Sequence, residues 1–174
     1  LINDMSNLFI GYEDFDEDIS NWDVSNVTNM ESMFIGCIYF NQPLNKWDVS
    51  NVTNMNGMFK CCEKFNQPLN NWNVSKVTSM VYMYYRQQKF NQYIANWNTS
   101  NVVKMESMLR TNVIFNQPDI FKWDVTKVGN FNNMFFASDK MKYYGNTPSR
   151  YHFNLLQNGR FEENTISGEY VDDN

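Results

Sequence analysis

Carboxylate and amide side chains recur at one position of this sequence with a spacing that is able to build a cation site. Each follows a Trp directly, and together they are Asp23, Asp48, Asn73, Asn98 and Asp124. If the segments that carry them stack on one another, their oxygens form a column on one face, and Ca²⁺ takes oxygen ligands of this kind. A solvent-exposed position that recurs because the chain itself repeats is the simpler interpretation.

Other residues that carry chemistry are few. His152 is the single histidine, and no second His or spaced Cys pair accompanies it, so no zinc site is predicted. The sequence contains no Gly-rich phosphate loop. We therefore expect no catalytic residues, no metal and no cofactor, and a protein that is not an enzyme.

Two of the three cysteines, Cys37 and Cys62, are separated by the same interval as Asp23 and Asp48. Stacked segments lie about 4.8 Å apart, a separation that suits a disulfide and equally suits two free thiols in a core. Both interpretations stay open at this point, and cysteine usage does not indicate the redox compartment.

The elements that position these residues come from an internal repeat. Phe40 to Met58 reads FNQPLNKWDVSNVTNMNGM, and Phe65 begins a close copy, FNQPLNNWNVSKVTSMVYM. The tryptophans mark the period, because Trp22, Trp47, Trp72 and Trp97 are evenly spaced and Trp123 follows one residue later than that spacing requires. A fixed period in this range predicts a solenoid of stacked units.

Within a unit, the apolar spacing changes along the chain. Trp47-Asp48-Val49 alternates apolar and polar residues, which predicts a short strand. Met55, Met58, Phe59 and Cys62 follow, and their spacing is typical of one face of a short helix. Thr28 and Glu31 fit a capping box at the start of such a helix.

These patterns predict an α/β repeat solenoid, a stack of about six coils in which each coil is a short parallel strand plus a short helix. We assign residues 1–141 to the solenoid and residues 142–174, where the period is lost, to a non-repeat C-terminal cap and tail. The cap is expected to end at about residue 161, and a loosely held or partner-bound tail follows it. The repeat opens in mid-unit at Leu1, so either upstream sequence is missing or the first coil is left open.

Three columns of large side chains are expected to form the core. They are the five tryptophans, the valines Val27, Val52, Val77, Val102 and Val128, and the methionines Met33, Met58, Met83, Met108 and Met134. A row of exposed Trp is alternatively a stacking platform for sugar rings or bases. The apolar spacing around each Trp favours the core.

Departures from the repeat mark a candidate contact surface. Val81, Tyr82 and Tyr85 stand where other units carry charged or polar residues, and Tyr93 replaces the turn proline. Exposed aromatic side chains of this kind are typical of protein interfaces. Drift within a tolerant repeat is the alternative explanation. The surface also includes the column of Asp and Asn residues that follows the tryptophans.

Charge and hydropathy exclude two classes of partner. Lys and Arg are scattered without a basic stripe, and the net charge is −5, so no nucleic-acid surface is predicted. No apolar run approaches the roughly 20 residues of a transmembrane helix. Other proteins, in a multi-protein assembly, are the expected partners.

The unit resembles a known repeat. Trp47 to Met55, WDVSNVTNM, and Phe65 to Leu69, FNQPL, are similar to the 25-residue repeat of mollicute surface proteins, which belongs with the BspA-like leucine-rich repeats. The resemblance covers about residues 2–141. It implies a leucine-rich-repeat-like solenoid in a protein of a bacterial surface, a large DNA virus or a protist, with adhesion or protein binding as the role.

Two functions are consistent with these observations. The first is a non-enzymatic structural or protein-interaction scaffold, a component of a larger assembly such as a virus particle. The second is a secreted or cell-surface adhesin that recognises a host protein or glycan through exposed aromatic residues. A virion or an extracellular location is what the resemblance implies, and accessible Trp side chains would favour the adhesin.

Overall fold

A column of stacked repeat units makes up the described part of the molecule. The structure is a computed structural model, and it describes residues 2–142. Five single parallel bridges join equivalent residues of successive units: Asp4 to Asn29, Asn29 to Asn54, Asn54 to Ser79, Ser79 to Lys104 and Lys104 to Asn130. The predicted cap and tail after Lys142, with His152, lie outside the described residues.

Alternate backbone amides hold each unit to the next. In one unit the N–H groups of Met30, Ser32, Phe34 and Gly36 donate to the carbonyls of Asn54, Asn56, Met58 and Lys60, at 2.8–3.0 Å. Amides between them close short turns instead, as Met33 and Ile35 do by donating to the carbonyls three residues earlier. The backbone of this segment therefore satisfies its polar groups half within the unit and half between units.

Left-handed backbone at two positions of every unit allows this alternation. The first position carries Asn7, Ser32, Gly57, Tyr82, Ser107 and Asn133, with φ between 51° and 59°. The second carries Gly11, Gly36, Cys61, Arg86, Thr111 and Ala137, with φ between 52° and 75°. A right-handed helix cannot contain such residues, so the chain turns sharply twice where the sequence pattern predicts a helix.

The prediction of an α/β solenoid of the leucine-rich-repeat type, with a strand and a helix in each coil, is therefore wrong. The two helices of residues 2–142 are a 3₁₀ helix, Pro118–Lys122, and a short α-helix, α1, Asp139–Lys142. No strand longer than a single bridge residue forms in that range. The supposed capping box is a turn in which the Asn29 side chain accepts the amide of Glu31 at 3.1 Å.

Columns of apolar side chains fill the space between the turns, as the sequence predicts. The valine and methionine columns are buried along their whole length, and four of the five tryptophans are at most 4% exposed. Trp22, in the first unit, is 41% exposed and departs from the prediction. Phenylalanine rings of adjacent units stack nearly parallel, such as Phe40 on Phe65 with centroids 5.8 Å apart.

Polar atoms of the buried tryptophans are satisfied across units. Trp72 donates its indole N–H to the carbonyl of Leu44 at 2.8 Å, and Trp47, Trp97 and Trp123 make the equivalent bond. Each Trp thus fills the core and ties its unit to the preceding one, because a buried indole N–H needs an acceptor.

The return turn carries a second set of bonds between units. Asn66 accepts the amide of Asn91 at 3.1 Å with its side-chain oxygen, and its own amide donates to the side chain of Asn41. Asp16 fills the same role in the first unit by accepting the amide of Asn41. In the last unit, the extra residue Asp119 is taken up by the 3₁₀ helix, so Trp123 stays in its column.

The return-turn column predicts a specific stability difference at Asn66. Asn66→Ala removes the acceptor for the Asn91 amide and should lower the free energy of unfolding by about 1 kcal/mol. Asn66→Asp keeps the acceptor oxygen, as Asp16 does, and should cost much less. Urea denaturation followed by Trp fluorescence measures both. Equal losses for the two variants would show that the side-chain acceptor does not stabilise the stack.

Candidate interaction surface

Aromatic rings and cations alternate on the turn-rich side of the stack. The Tyr82 and Tyr85 rings meet edge to face, with centroids 5.5 Å apart. The Lys60 ammonium lies 5.3 Å from the centroid of each ring. The Arg110 guanidinium lies 5.9 Å from the Tyr85 centroid and 4.8 Å from that of Phe136. We call these five residues the aromatic–cationic patch.

The patch forms because its residues share one column of the repeat. Lys60, Tyr85, Arg110 and Phe136 occupy the same place in four successive units, so stacking brings each beside the next. These distances are within the range at which a ring face attracts a cation. Neither Lys60 nor Arg110 has a carboxylate within ion-pair distance among residues 2–142. The ion pair that forms in this range joins Lys122 and Asp119 at 2.6 Å.

Tyr82 has a left-handed backbone conformation, which tyrosine rarely adopts. Its φ is +56°, at a register where other units have Asn, Ser or Gly. A left-handed conformation costs an L-residue other than glycine roughly 1–2 kcal/mol, and bulky residues rarely adopt it. The ring is nevertheless 39% exposed, so this strain is not compensated by complete burial. Strained residues of this kind cluster at binding sites.

An open groove of about 360 Å³ runs beside Tyr82. Gly57 has no side chain at the position where Tyr82 stands one unit later, and this gap deepens the groove. The charged residues that line the groove are Glu31, Glu106, Lys60 and Lys104. Glu31 accepts a hydrogen bond from the Asn54 side-chain amide at 2.9 Å, and Glu106 accepts one from Asn130.

The other residues predicted for this surface are not all brought to the patch. Val81 is half-buried and lines the groove, and its amide donates to the Asn56 side chain at 2.9 Å. Tyr93 is exposed in the return turn. It makes no ring contact with Tyr82 or Tyr85. Val81 and Tyr82 thus line one groove, Tyr85 contacts the Tyr82 ring beside it, and Tyr93 lies apart.

The column of Asp and Asn residues after the tryptophans shapes local turns. In each unit the side-chain oxygen accepts the amide two residues later, at 3.0–3.2 Å, as Asp48 does from Ser50. The five residues involved are Asp23, Asp48, Asn73, Asn98 and Asp124. Among residues 2–142, no group of three or more His, Cys, Asp or Glu residues is arranged to hold a metal ion.

Hydrogen bonds in this column lower the pKa of its carboxyl groups. The side-chain and backbone bonds from Ser25 lower the pKa of Asp23, those from Ser50 lower the pKa of Asp48, and those from Thr126 lower the pKa of Asp124. The ionised form accepts these bonds better than the neutral acid does. The structure thus assigns the column a role in the turns themselves.

The cysteines of the core are free thiols in the structure. Cys62 donates to the carbonyl of Phe34 at 2.8 Å, and Cys37 donates to that of Phe9 at 3.1 Å. Burial raises the pKa of Cys37 to about 12 and that of Cys62 well above its usual value. Thiols held this way are poor nucleophiles.

The tryptophans do not form the exposed platform that the sequence left as an alternative. Trp47, Trp72, Trp97 and Trp123 are buried, and Trp22 is the accessible one. The faces of the Trp97 ring are already covered by Trp72 and Trp123, which stack on it nearly parallel. A row of Trp rings therefore cannot receive a run of sugar rings or bases on this molecule.

Sequence reasoning missed a polar break in the core. Tyr84, Gln87 and Asn112 are fully buried, and the Tyr84 hydroxyl, the Gln87 side-chain oxygen and both polar atoms of the Asn112 side chain have no hydrogen-bond partner. Tyr84 stands in the column of Phe34 and Phe59, and Gln87 and Asn112 follow Cys37 and Cys62. The loss of apolar character in these columns was the available signal.

The unpartnered hydroxyl predicts that Tyr84→Phe stabilises the protein. Removing a buried hydroxyl that has no partner should raise the free energy of unfolding by about 1 kcal/mol, because the folded protein then no longer carries the cost of desolvating that group. The reverse change one unit earlier, Phe59→Tyr, is the matched control and should destabilise. Urea denaturation measures both. A loss of stability in Tyr84→Phe would show that the hydroxyl is bonded in solution.

The lowered carboxyl pKa values predict an acid-dependent loss of stability. Because the folded-state pKa of Asp48 lies below its usual 3.8, ionisation favours the folded state above that pH, and this contribution is lost as the pH falls through the folded-state value. Asp48→Asn keeps the acceptor, as Asn73 and Asn98 do. Its melting temperature should therefore fall less than that of the parent between about pH 5 and about pH 2.

Glu17→Gln supplies the control for this pH comparison, since the exposed Glu17 side chain accepts no hydrogen bond among the described residues. Its melting temperature should follow the parent at every pH. If Asp48→Asn also follows the parent, the turn bonds do not link stability to pH.

Comparison with known proteins places the repeat in a family. The family model described as Mycoplasma protein of unknown function, DUF285, matches residues 1–86 and residues 69–151. No curated protein and no solved structure shows a significant match to the chain. Within residues 2–142, no helix has the length and hydropathy of a membrane span. Since the two matches together cover most of the sequence, the chain belongs to this Mycoplasma family of unknown function.

Proposed function

We propose that this protein is a non-enzymatic interaction scaffold whose aromatic–cationic patch binds acidic segments of other proteins. The observation that carries the proposal is Tyr82, an exposed ring held in a strained conformation beside an open groove. Strain at an exposed position is unfavourable for folding alone, so a role in binding accounts for it better than drift within the repeat does.

The charges of the patch support an acidic occupant. Lys60 and Arg110 have no carboxylate partner within the described residues, and both lie over rings that shield part of their surface from water. A cation in such a site gains more from an incoming carboxylate than a fully hydrated Lys does, because less water must be displaced. Tyr and Arg are also the residue types that most often dominate binding energy at interfaces.

A place in a larger assembly fits a scaffold of this kind. The BspA-like resemblance adds surface adhesion and virus particles as settings, and both stay proposals. The rigid, hydrogen-bonded stack favours binding without rearrangement, since no part of the patch has to fold when a partner arrives.

Binding of an anionic probe tests the proposal. A random copolymer of Glu and Tyr should bind the parent protein in isothermal titration calorimetry, whereas a copolymer of Lys and Tyr should not. The double variant Tyr82→Asn with Tyr85→Ser removes both rings. Its affinity for the anionic copolymer should be about tenfold lower, in the range expected when interface aromatic residues are truncated. Tyr93→Ser, which removes an exposed ring of the return turn that does not contact Tyr82 or Tyr85, is the control and should leave binding unchanged.

The strain at Tyr82 adds a second readout to the same variants. Tyr82→Asn alone should bind less tightly and yet unfold at a higher temperature, because Asn accepts the left-handed backbone more readily. A tyrosine kept only for folding would give the opposite stability change. Unaltered copolymer affinity in the double variant would reject the patch as a binding surface.

A further inference from the structure

Charge is segregated along the stack. Residues 1–35 contain eight Asp and Glu and no Lys or Arg, a formal charge of −8. Residues 36–142 contain twelve Lys and Arg against six Asp and Glu, a formal charge of +6. Because successive units stack in chain order, the first described unit is acidic and the later units are basic.

The segregation is sharpest at one corner of the stack. This corner comprises residues 10–14, 35–39, 60–64, 85–89 and 110–114, which follow one another at the same register. Counting Asp and Glu against Lys and Arg, the formal charges of these five segments are −2, 0, +1, +2 and +1. A gradient along a single face is what self-complementary pairing requires, since one end attracts the other.

Side chains at the two ends of this gradient are free to pair. Glu13 and Asp14 are exposed and their carboxylates make no hydrogen bond or ion pair among the described residues. Arg86 and Lys89 are exposed in the fourth segment and likewise have no carboxylate partner there. All four lie on the rigid stack, so no residue of the first unit can reach the fourth unit of its own chain.

Exposed aromatic and apolar side chains lie in the same corner as the charges. Tyr12 is 66% exposed and Tyr39 is 54% exposed. Val113 is also exposed in the fifth segment. Tyr39 stands at the register of Lys64 and Lys89, the position that carries the cation in the third and fourth segments. The corner thus combines charges with apolar area that a partner would remove from water.

We propose that two copies of this chain pair side by side and antiparallel through this corner, with the acidic first unit of each copy on the basic fourth unit of the other. In this register Glu13 and Asp14 face Arg86 and Lys89 twice, once on each side of a two-fold axis. The second segment of each copy faces the third segment of the other, which places Tyr39 against Lys64. This inference rests on the proposed function, because it makes the acidic segment that the scaffold recognises a segment of its own kind.

The closed geometry follows from the gradient. A two-fold axis makes the interface reciprocal, so both charge contacts form in a dimer and neither is left open. A parallel arrangement would set like charges side by side unless the copies were staggered, and a staggered arrangement leaves an unpaired end that continues into a filament. In the antiparallel dimer, the acidic first segment and the basic fourth segment of each copy are both paired.

Light scattering on the full chain tests the dimer. At about 200 µM protein and about 20 mM salt, where screening is weak, the parent should have the mass of a dimer, and in about 0.5 M salt that of a monomer. Two charge-reversed variants should each be monomeric at low salt: Glu13→Lys with Asp14→Lys, and Arg86→Glu with Lys89→Glu. Each reversal should raise the dimer dissociation constant at least tenfold.

Mixing the two reversed variants gives the decisive result. An equimolar mixture should form a 1:1 heterodimer at low salt. The reversed first unit of one variant then faces the reversed fourth unit of the other, and the two native segments face each other, so opposite charges meet in both contacts. Lys46→Glu with Lys76→Glu, which changes the net charge as much as the basic reversal does but lies away from the corner, should remain dimeric. A monomeric parent, dimeric reversed variants, a mixture without heterodimer, or oligomers that grow with concentration would each overturn the proposal.

The copolymer experiment separates this inference from the proposed function. A chain that is monomeric at low salt and binds the Glu and Tyr copolymer through Tyr82 and Tyr85 retains its function as a scaffold and loses the self-pairing. A chain that is monomeric and binds no copolymer loses both.

Discussion

The alternation of backbone amides between two kinds of acceptor is the constraint on which the molecule depends. Every second N–H of the turn segment reaches the next unit, and the N–H between closes a turn within its own unit. The geometry demands left-handed backbone at two positions, four residues apart, in each unit. Side-chain register follows from it, because equivalent residues of successive units are then held next to one another. The buried columns and the exposed patch are therefore consequences of one bonding pattern.

The sequence predicts the register well and the backbone poorly. The spacing of Trp47, Trp72 and Trp97 is sufficient to place residues of adjacent units side by side, and the burial of these residues confirms it. The helix fails because spacings of three and four residues arise equally from two consecutive tight turns. Asn7, Ser32 and Gly57 at one position and Gly11 and Gly36 at the other were readable turn signals, but Tyr82 and Cys61 at the same positions obscured them.

For the candidate surface, the unusual residues could be found and their environment could not. Val81, Tyr82 and Tyr85 stand out against the other units in the sequence alone. The contact of Lys60 and Arg110 with the Tyr85 ring also follows from their spacing of one repeat, once stacking is assumed. The strain at Tyr82 required the backbone angles, since the Asn, Ser and Gly residues at this position in other units indicate a turn but do not give the sign of φ.

Different groups hold the units together and contact a partner, which explains how such a repeat acquires binding specificity. Because the bonds between units are made largely by main-chain atoms and by buried or turn side chains, the exposed side chains contribute little to stacking and are free to vary. The corner changes from two acids in the first unit to two cations in the fourth, while the amide at the left-handed position still donates to the next unit, as Gly11 does to Ile35 and Arg86 does to Arg110. A column of this type can therefore present different charges at different heights on units that are joined in the same way. The partner it selects is determined by the order of its units, because a reversed or shifted order would place the same residues against the wrong neighbours.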